Sequence, residues 1–203
     1  MRRSETVIVQ YTAKTVISII ISIMMQMGVM NMISTTPHES VTDFMDGLKN
    51  REAHVMEKYM DDSYVNFIAN VQGDKDTVAR MNEALFRNFS YEVKEIIEKN
   101  DVAVAKVSIK SGDFSKVLSE YEKVSYQYVT DNLYTDDIAD KEKLNAQCLQ
   151  LYVQQVEKAA ESGAVLETIV FVPMVNDGYY GWNIIMTDDL MKNVLGNLQM
   201  PVS

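Results

Sequence analysis

Residues Val16–Ile33 form an eighteen-residue stretch without a charged side chain, preceded by Arg2, Arg3 and Lys14, and nothing comparable follows it. Eighteen helical residues reach about 27 Å, slightly less than the roughly 30 Å hydrocarbon core of a bilayer. Positive charge on the leading flank holds that flank in the cytoplasm, so the chain after about Ser34 is expected outside. Glu39 and Asp43, soon after the stretch, fit that orientation.

A cleaved signal needs a shorter apolar region and small residues before the cleavage site. The exit here reads Met30-Asn31-Met32-Ile33-Ser34-Thr35-Thr36, which has no such pair. No cysteine lies near it, which excludes a lipid-modified terminus. The reading is therefore an uncleaved anchor over residues 1–36, with secretion after cleavage as the alternative, and a single domain over 37–203. Ser18, Ser22 and Gln26 share one helical stripe, and Met24, Met25, Met27, Met30 and Met32 suit lipid contact better than copper binding.

Residues 1–38 carry a net charge of +2, so the remainder holds −12 of the chain's −10 total. A domain this acidic is not drawn by charge to nucleic acid or to anionic lipid. Its expected partners are an envelope protein or a small neutral ligand. About 160 residues suffice for one core. Cys148 is the only cysteine, so no internal disulfide forms, and its spacing with Leu144, Leu151 and Tyr152 predicts a buried, inert thiol.

Hydrophobic periodicity orders the elements. Ser40 is expected to cap a first helix bearing Val41, Phe44, Met45, Leu48, Val55, Met56 and Tyr59. A second helix, Asp76–Phe89, turns Val78, Met81, Leu85 and Phe86 inward. Tyr91–Glu98 and Val102–Lys110 read as a hairpin through Lys99-Asn100-Asp101, with Ala103, Ala105, Val107 and Ile109 on the dry face. Asp113 is expected to cap a third helix carrying Phe114, Val117, Leu118, Tyr121, Val124 and Tyr128. A fourth covers Ile138–Glu161. Leu166–Val175 is a strand that turns at Asn176-Asp177-Gly178 and returns as Gly181–Thr187, and Asp188 caps a last helix. Helices segregated from hairpins predict an α+β fold, a curved antiparallel sheet packed against helices.

The stretch Glu167-Thr168-Ile169-Val170-Phe171-Val172, followed by Asn176-Asp177-Gly178-Tyr179-Tyr180-Gly181-Trp182-Asn183-Ile184, resembles the closing hairpin of the nuclear-transport-factor-two-like, or cystatin-like, cone-fold superfamily. Tyr91–Ser119 resembles the same arrangement in small exported or membrane-anchored proteins of Firmicutes, often lipoproteins, whose functions are unknown. The chain departs from that pattern in lacking a lipid-acceptor cysteine and in the length of Tyr121–Glu161. The resemblance implies a cone whose apolar interior holds a carboxylate or histidine in the isomerases and dehydratases of the group.

Chemistry-bearing candidates are few. His38 falls in the linker and His54 on the outer side of the first helix, without the paired ligands a metal needs. Glu167, inside an apolar strand, is the best candidate for a buried carboxylate with a raised pKa. Asp61-Asp62, Asp74 with Asp76, Asp136-Asp137 and Asp188-Asp189 lack the glycine and glutamate of a calcium loop. No nucleophile elbow and no phosphate-cradling glycine loop is present. Tyr91, Tyr121, Tyr126, Tyr128, Tyr152, Tyr179, Tyr180 and Trp182 are the aromatics that suit a concave ligand pocket. The pocket set is Tyr91, Tyr126, Tyr152, Glu167 and Trp182, with no catalytic residue, no metal and no cofactor. The readings are an anchored binding domain, a small cone-fold enzyme acting on an apolar ligand, and a module that dimerises through its sheet.

Overall fold

A computed structural model of the chain describes residues 36–52, 55, 75–178 and 181–201. The anchor stretch Val16–Ile33, together with His54, Met56, Tyr59, Asp61, Asp62, Asp74, Tyr179 and Tyr180, lies outside the described residues, as does the side chain of Val78.

The elements are α1 (Pro37–Asn50), α2 (Lys75–Phe86), β1 (Ser90–Lys99), β2 (Val102–Gly112), α3 (Val117–Asp131), α4 (Asp136–Ala139), α5 (Lys141–Glu161), β3 (Val165–Asn176), β4 (Trp182–Ile184) and α6 (Asp188–Val194). The strands form one curved antiparallel sheet in the order β1-β2-β3-β4, so the architecture is the expected α+β.

Helix starts differ from expectation for a common reason: the capping oxygen comes from the residue whose backbone is still extended. At α1 that residue is Thr36, one place before Pro37. Its hydroxyl accepts from the Glu39 N–H at 3.2 Å, and the Glu39 carboxylate accepts from the Thr36 N–H at 3.1 Å. Ser40 is freed for a tertiary bond. Likewise Thr187, not Asp188, caps α6, and Asp140 caps α5 after the separate short α4. Asp113 accepts from the Ser115 N–H at 3.0 Å and closes a turn ahead of α3 without capping it. Helix α1 ends at Asn50, before the expected continuation, because Arg51 turns left-handed at φ 60°.

The β1–β2 hairpin turns at Asn100, which adopts a left-handed φ of 56°. Strand β2 pairs with β3 in unbroken register from Val102↔Val175 to Gly112↔Val165. Period-two alternation then sends Ala103, Ala105, Val107 and Ile109 of β2 to one face with Val170, Val172 and Met174 of β3. Trp182 and Ile184 of β4 extend that face.

Phe44, Met45 and Leu48 of α1, Met81 and Leu85 of α2, Tyr152, Val153 and Val156 of α5, and Leu190 and Val194 of α6 complete the same buried cluster. One end of the sheet is closed by a backbone approach. Gly196 O accepts the Phe114 N–H at 2.8 Å, and a Cβ on Gly196 would sit 1.8 Å from Gly112 O. Gly196, at φ 56°, is therefore required twice over, by conformation and by space.

Candidate functional site

The five residues expected to line a pocket lie in separate places. Tyr91, half-buried on β1, donates to Asp46 Oδ1 of α1 at 2.8 Å. Burial, then the Asp46 carboxylate, push its phenol well above the usual tyrosine range. Tyr152 is fully buried in α5 and donates to Gln199 O at 2.9 Å, which ties the C-terminal segment to the helix. Its ring meets Tyr121 edge-on at 5.5 Å.

Burial and then the Cys148 thiol raise Tyr121 to about 12. Cys148 is half-buried beside this pair, which corrects the expectation of a fully buried thiol: it stands on the flank of α5 that α3 covers only partly.

Tyr126 corrects the pocket expectation most clearly. It is 74% exposed on the outer side of α3, because only Val117 of that helix is fully buried. Glu167 is exposed as well, opposite Lys110 of β2 and 3.5 Å from the Ser108 hydroxyl. This corrects the expectation of a buried carboxylate: Glu167 lies inside an apolar run, yet odd-numbered β3 residues face away from the helices. Trp182 is buried in the core, and its carbonyl accepts the Ser40 hydroxyl.

Where polar groups do gather is shallow. Thr36, Pro37, His38, Val93, Lys94, Glu95, Ile96 and Glu98 line an open groove of about 450 Å³ between the start of α1 and β1. Among the described residues no group of three or more His, Cys, Asp or Glu is placed to hold a metal ion, and no helix is long and apolar enough to cross a membrane.

The outer face of the sheet carries the stronger signal. Ile97 of β1 pairs with Val104 of β2, Val104 with Pro173 of β3, and Pro173 O accepts the Ile185 N–H at 2.8 Å. These four residues form an apolar row that crosses β1, β2 and β3 and ends at Ile185, just after β4. Ile97 is 65% exposed. Val102 joins the row on one side, and Phe171 (61% exposed) and Ile169 (50% exposed) on the other. Glu95, Lys106, Lys110 and Glu167 border it. Apolar side chains exposed together in this way mark an interaction surface more often than they occur by accident. The signal in the sequence is that Val102, Val104, Ile169 and Phe171 stand at the opposite parity to the core residues of the same strands.

No family model matches the chain, and no curated protein matches it. Among solved structures the chain is similar to a candidate lipoprotein, YcdA, of Bacillus subtilis, at 19% identity and a TM-score of 0.42. The match covers 81% of this chain and 47% of that one, so the chain spans about half the length of that neighbour.

Proposed function

We propose that this chain is a membrane-anchored, extracytoplasmic interaction domain of the bacterial cell envelope, non-enzymatic and of the cone-fold type. The observation that carries the reading is the apolar row Ile97–Val104–Pro173–Ile185, displayed on the sheet face opposite the helices. The uncharged stretch Val16–Ile33, with its basic leading flank, supports the placement at the membrane. The helix-facing side of the sheet is filled by Phe44, Met45, Leu48 and Tyr152, which favours binding on the outside of the sheet over chemistry within it.

The test is topological. Intact cells or spheroplasts are treated with protease from outside, and membranes are separated from cytosol. The expected result is a membrane-bound chain that loses its epitope after Ser34. Recovery of the whole chain from soluble cytosol, protected from protease, overturns the proposal.

A further inference from the structure

Strand β3 is twelve residues long, but β4 covers only one end of it: the registered pairs are Met174↔Ile184, Val175↔Asn183 and Asn176↔Trp182. The direction of every backbone group on β3 follows from three bonds. Asn176 donates to Asp101 O at 2.8 Å and Ala164 O accepts from Asp113 at 3.0 Å, so even-numbered positions face β2. Pro173 O accepts from Ile185, so odd-numbered positions face away from β2. The N–H and C=O groups of Val165, Glu167, Ile169 and Phe171 therefore point to an edge that no strand of the described residues pairs. Pro173, which has no N–H, sits where this edge meets β4.

A long, β-branched, uncovered edge is a template for another strand. Its free segment has no register shift and a single charged side chain, Glu167, whereas β1 at the opposite edge is blunted more heavily. There the register shifts between Val93 and Glu95, and Glu92, Lys94, Glu95, Glu98 and Lys99 supply charge.

We infer that the open edge of β3 pairs antiparallel with the same edge of a second copy, about a two-fold axis at Thr168. The free segment runs from Val165 to Phe171, and Thr168 is its centre. Antiparallel pairing about that point sets Val165 against Phe171, Leu166 against Val170, Glu167 against Ile169, and Thr168 against its own counterpart. All odd positions then meet odd positions. The two outward-facing pairs, counted in both copies, form about eight backbone hydrogen bonds.

The side-chain pairs are ones that antiparallel sheets favour: aromatic with β-branched, and threonine with threonine. Glu167 meets an isoleucine, not its own copy, so no like charges oppose. Centring one residue later would bring Val165 against Pro173, whose carbonyl is already engaged and which has no N–H to give. The choice of a second copy rests on this fit of the segment to itself. An isologous contact of this kind closes at two.

The experiment uses the full-length chain in membranes, with Cys148→Ser removing the only native cysteine. Thr168→Cys is oxidised in that background. Facing residues of a non-hydrogen-bonded antiparallel pair stand about 4.5 Å apart at Cα, within the range a disulfide spans. The expected result is a covalent dimer as the main product.

Val165→Cys alone should stay monomeric, because its own counterpart lies about 20 Å away along the strand. Mixed Val165→Cys and Phe171→Cys copies should cross-link to each other. Adding Ile169→Pro, which removes one outward N–H and none that β2 uses, should abolish the Thr168→Cys product while Trp182 fluorescence stays native. A monomeric Thr168→Cys protein overturns the inference. So does equal cross-linking of Val104→Cys, which would set the copies face to face, and so does a Thr168→Cys product formed only with another polypeptide.

Discussion

The Ser40 hydroxyl on α1 donates a 2.7 Å hydrogen bond to the carbonyl of Trp182 on β4, joining residues 142 positions apart inside the core. Strand β4 is only three residues long, so this bond and the three registered pairs to β3 fix its place. Ser40→Ala leaves a buried carbonyl unsatisfied, which costs about 1–3 kcal/mol. Urea unfolding followed by Trp182 fluorescence should show that loss. An unchanged midpoint would mean that water or another donor replaces the hydroxyl.

Thr36 makes the position of any N-terminal cut matter. A chain beginning at Ser34 retains the reciprocal Thr36–Glu39 bonds and is expected to be folded, soluble and indifferent to reducing agent. A chain beginning at Pro37 loses the cap and should be less stable by about 1 kcal/mol. Thermal melts of the two chains distinguish the cap from any requirement for residues 1–33.

Trp182 is 5% exposed, and its indole lies in the same cluster as Ile184 and Met174. Replacing it by alanine should cost about 3–5 kcal/mol, a large share of the 5–15 kcal/mol typical of a domain. The native emission should be blue-shifted, as for a dry indole. A parental melting temperature for Trp182→Ala would remove the residue from the core.

Tyr121 gives a prediction in pH. Its phenol rises from the ordinary 10.0 to about 12 in the folded chain. A group whose folded pKa is raised contributes fully below its unfolded value and loses that contribution as pH climbs through the folded one. Stability should therefore fall between about pH 10 and pH 12. Tyr121→Phe should flatten part of that fall, leaving the remainder to Tyr91 and Tyr152, whose phenols are raised in the same direction. Urea midpoints measured across that range provide the check.

Glu167 is exposed on the outer face, so Glu167→Gln should alter stability by no more than about 0.5 kcal/mol. A loss of several kcal/mol would restore it as a buried carboxylate.

Periodicity placed Ala103, Ala105, Val107 and Ile109 on the dry face, and Asn100-Asp101 located the hairpin, because both signals are local. Helix starts were legible only to within a few residues. Ser40, Asp113 and Asp188 are all competent caps, and only the extended backbone at Thr36, Asp140 and Thr187 decides between such candidates. The end of α1 was hidden for a related reason: Arg51 takes a left-handed conformation usually held by glycine or asparagine.

The candidate pocket was less legible than the fold. Tyrosine is equally at home in a core, as Tyr152 is, and in solvent, as Tyr126 is. The apolar run Leu166–Val175 reads as a strand without showing which of its sides stays open. Its open edge depends on β4 stopping at Ile184, which no local pattern announces.

The backbone approach of Gly196 to Gly112 has a consequence for tracing descent. Phe114 is wedged between the two glycines, since a Cβ on Gly112 would meet its ring at 2.7 Å and one on Gly196 would meet it at 2.9 Å. These three positions cannot drift independently, although Gly196 lies far along the chain from the other two. A remote cousin that has lost every recognisable stretch of sequence should still keep a glycine, an aromatic ring two residues later, and a second glycine just beyond its last helix. That sparse signature is a better probe for kinship than overall identity.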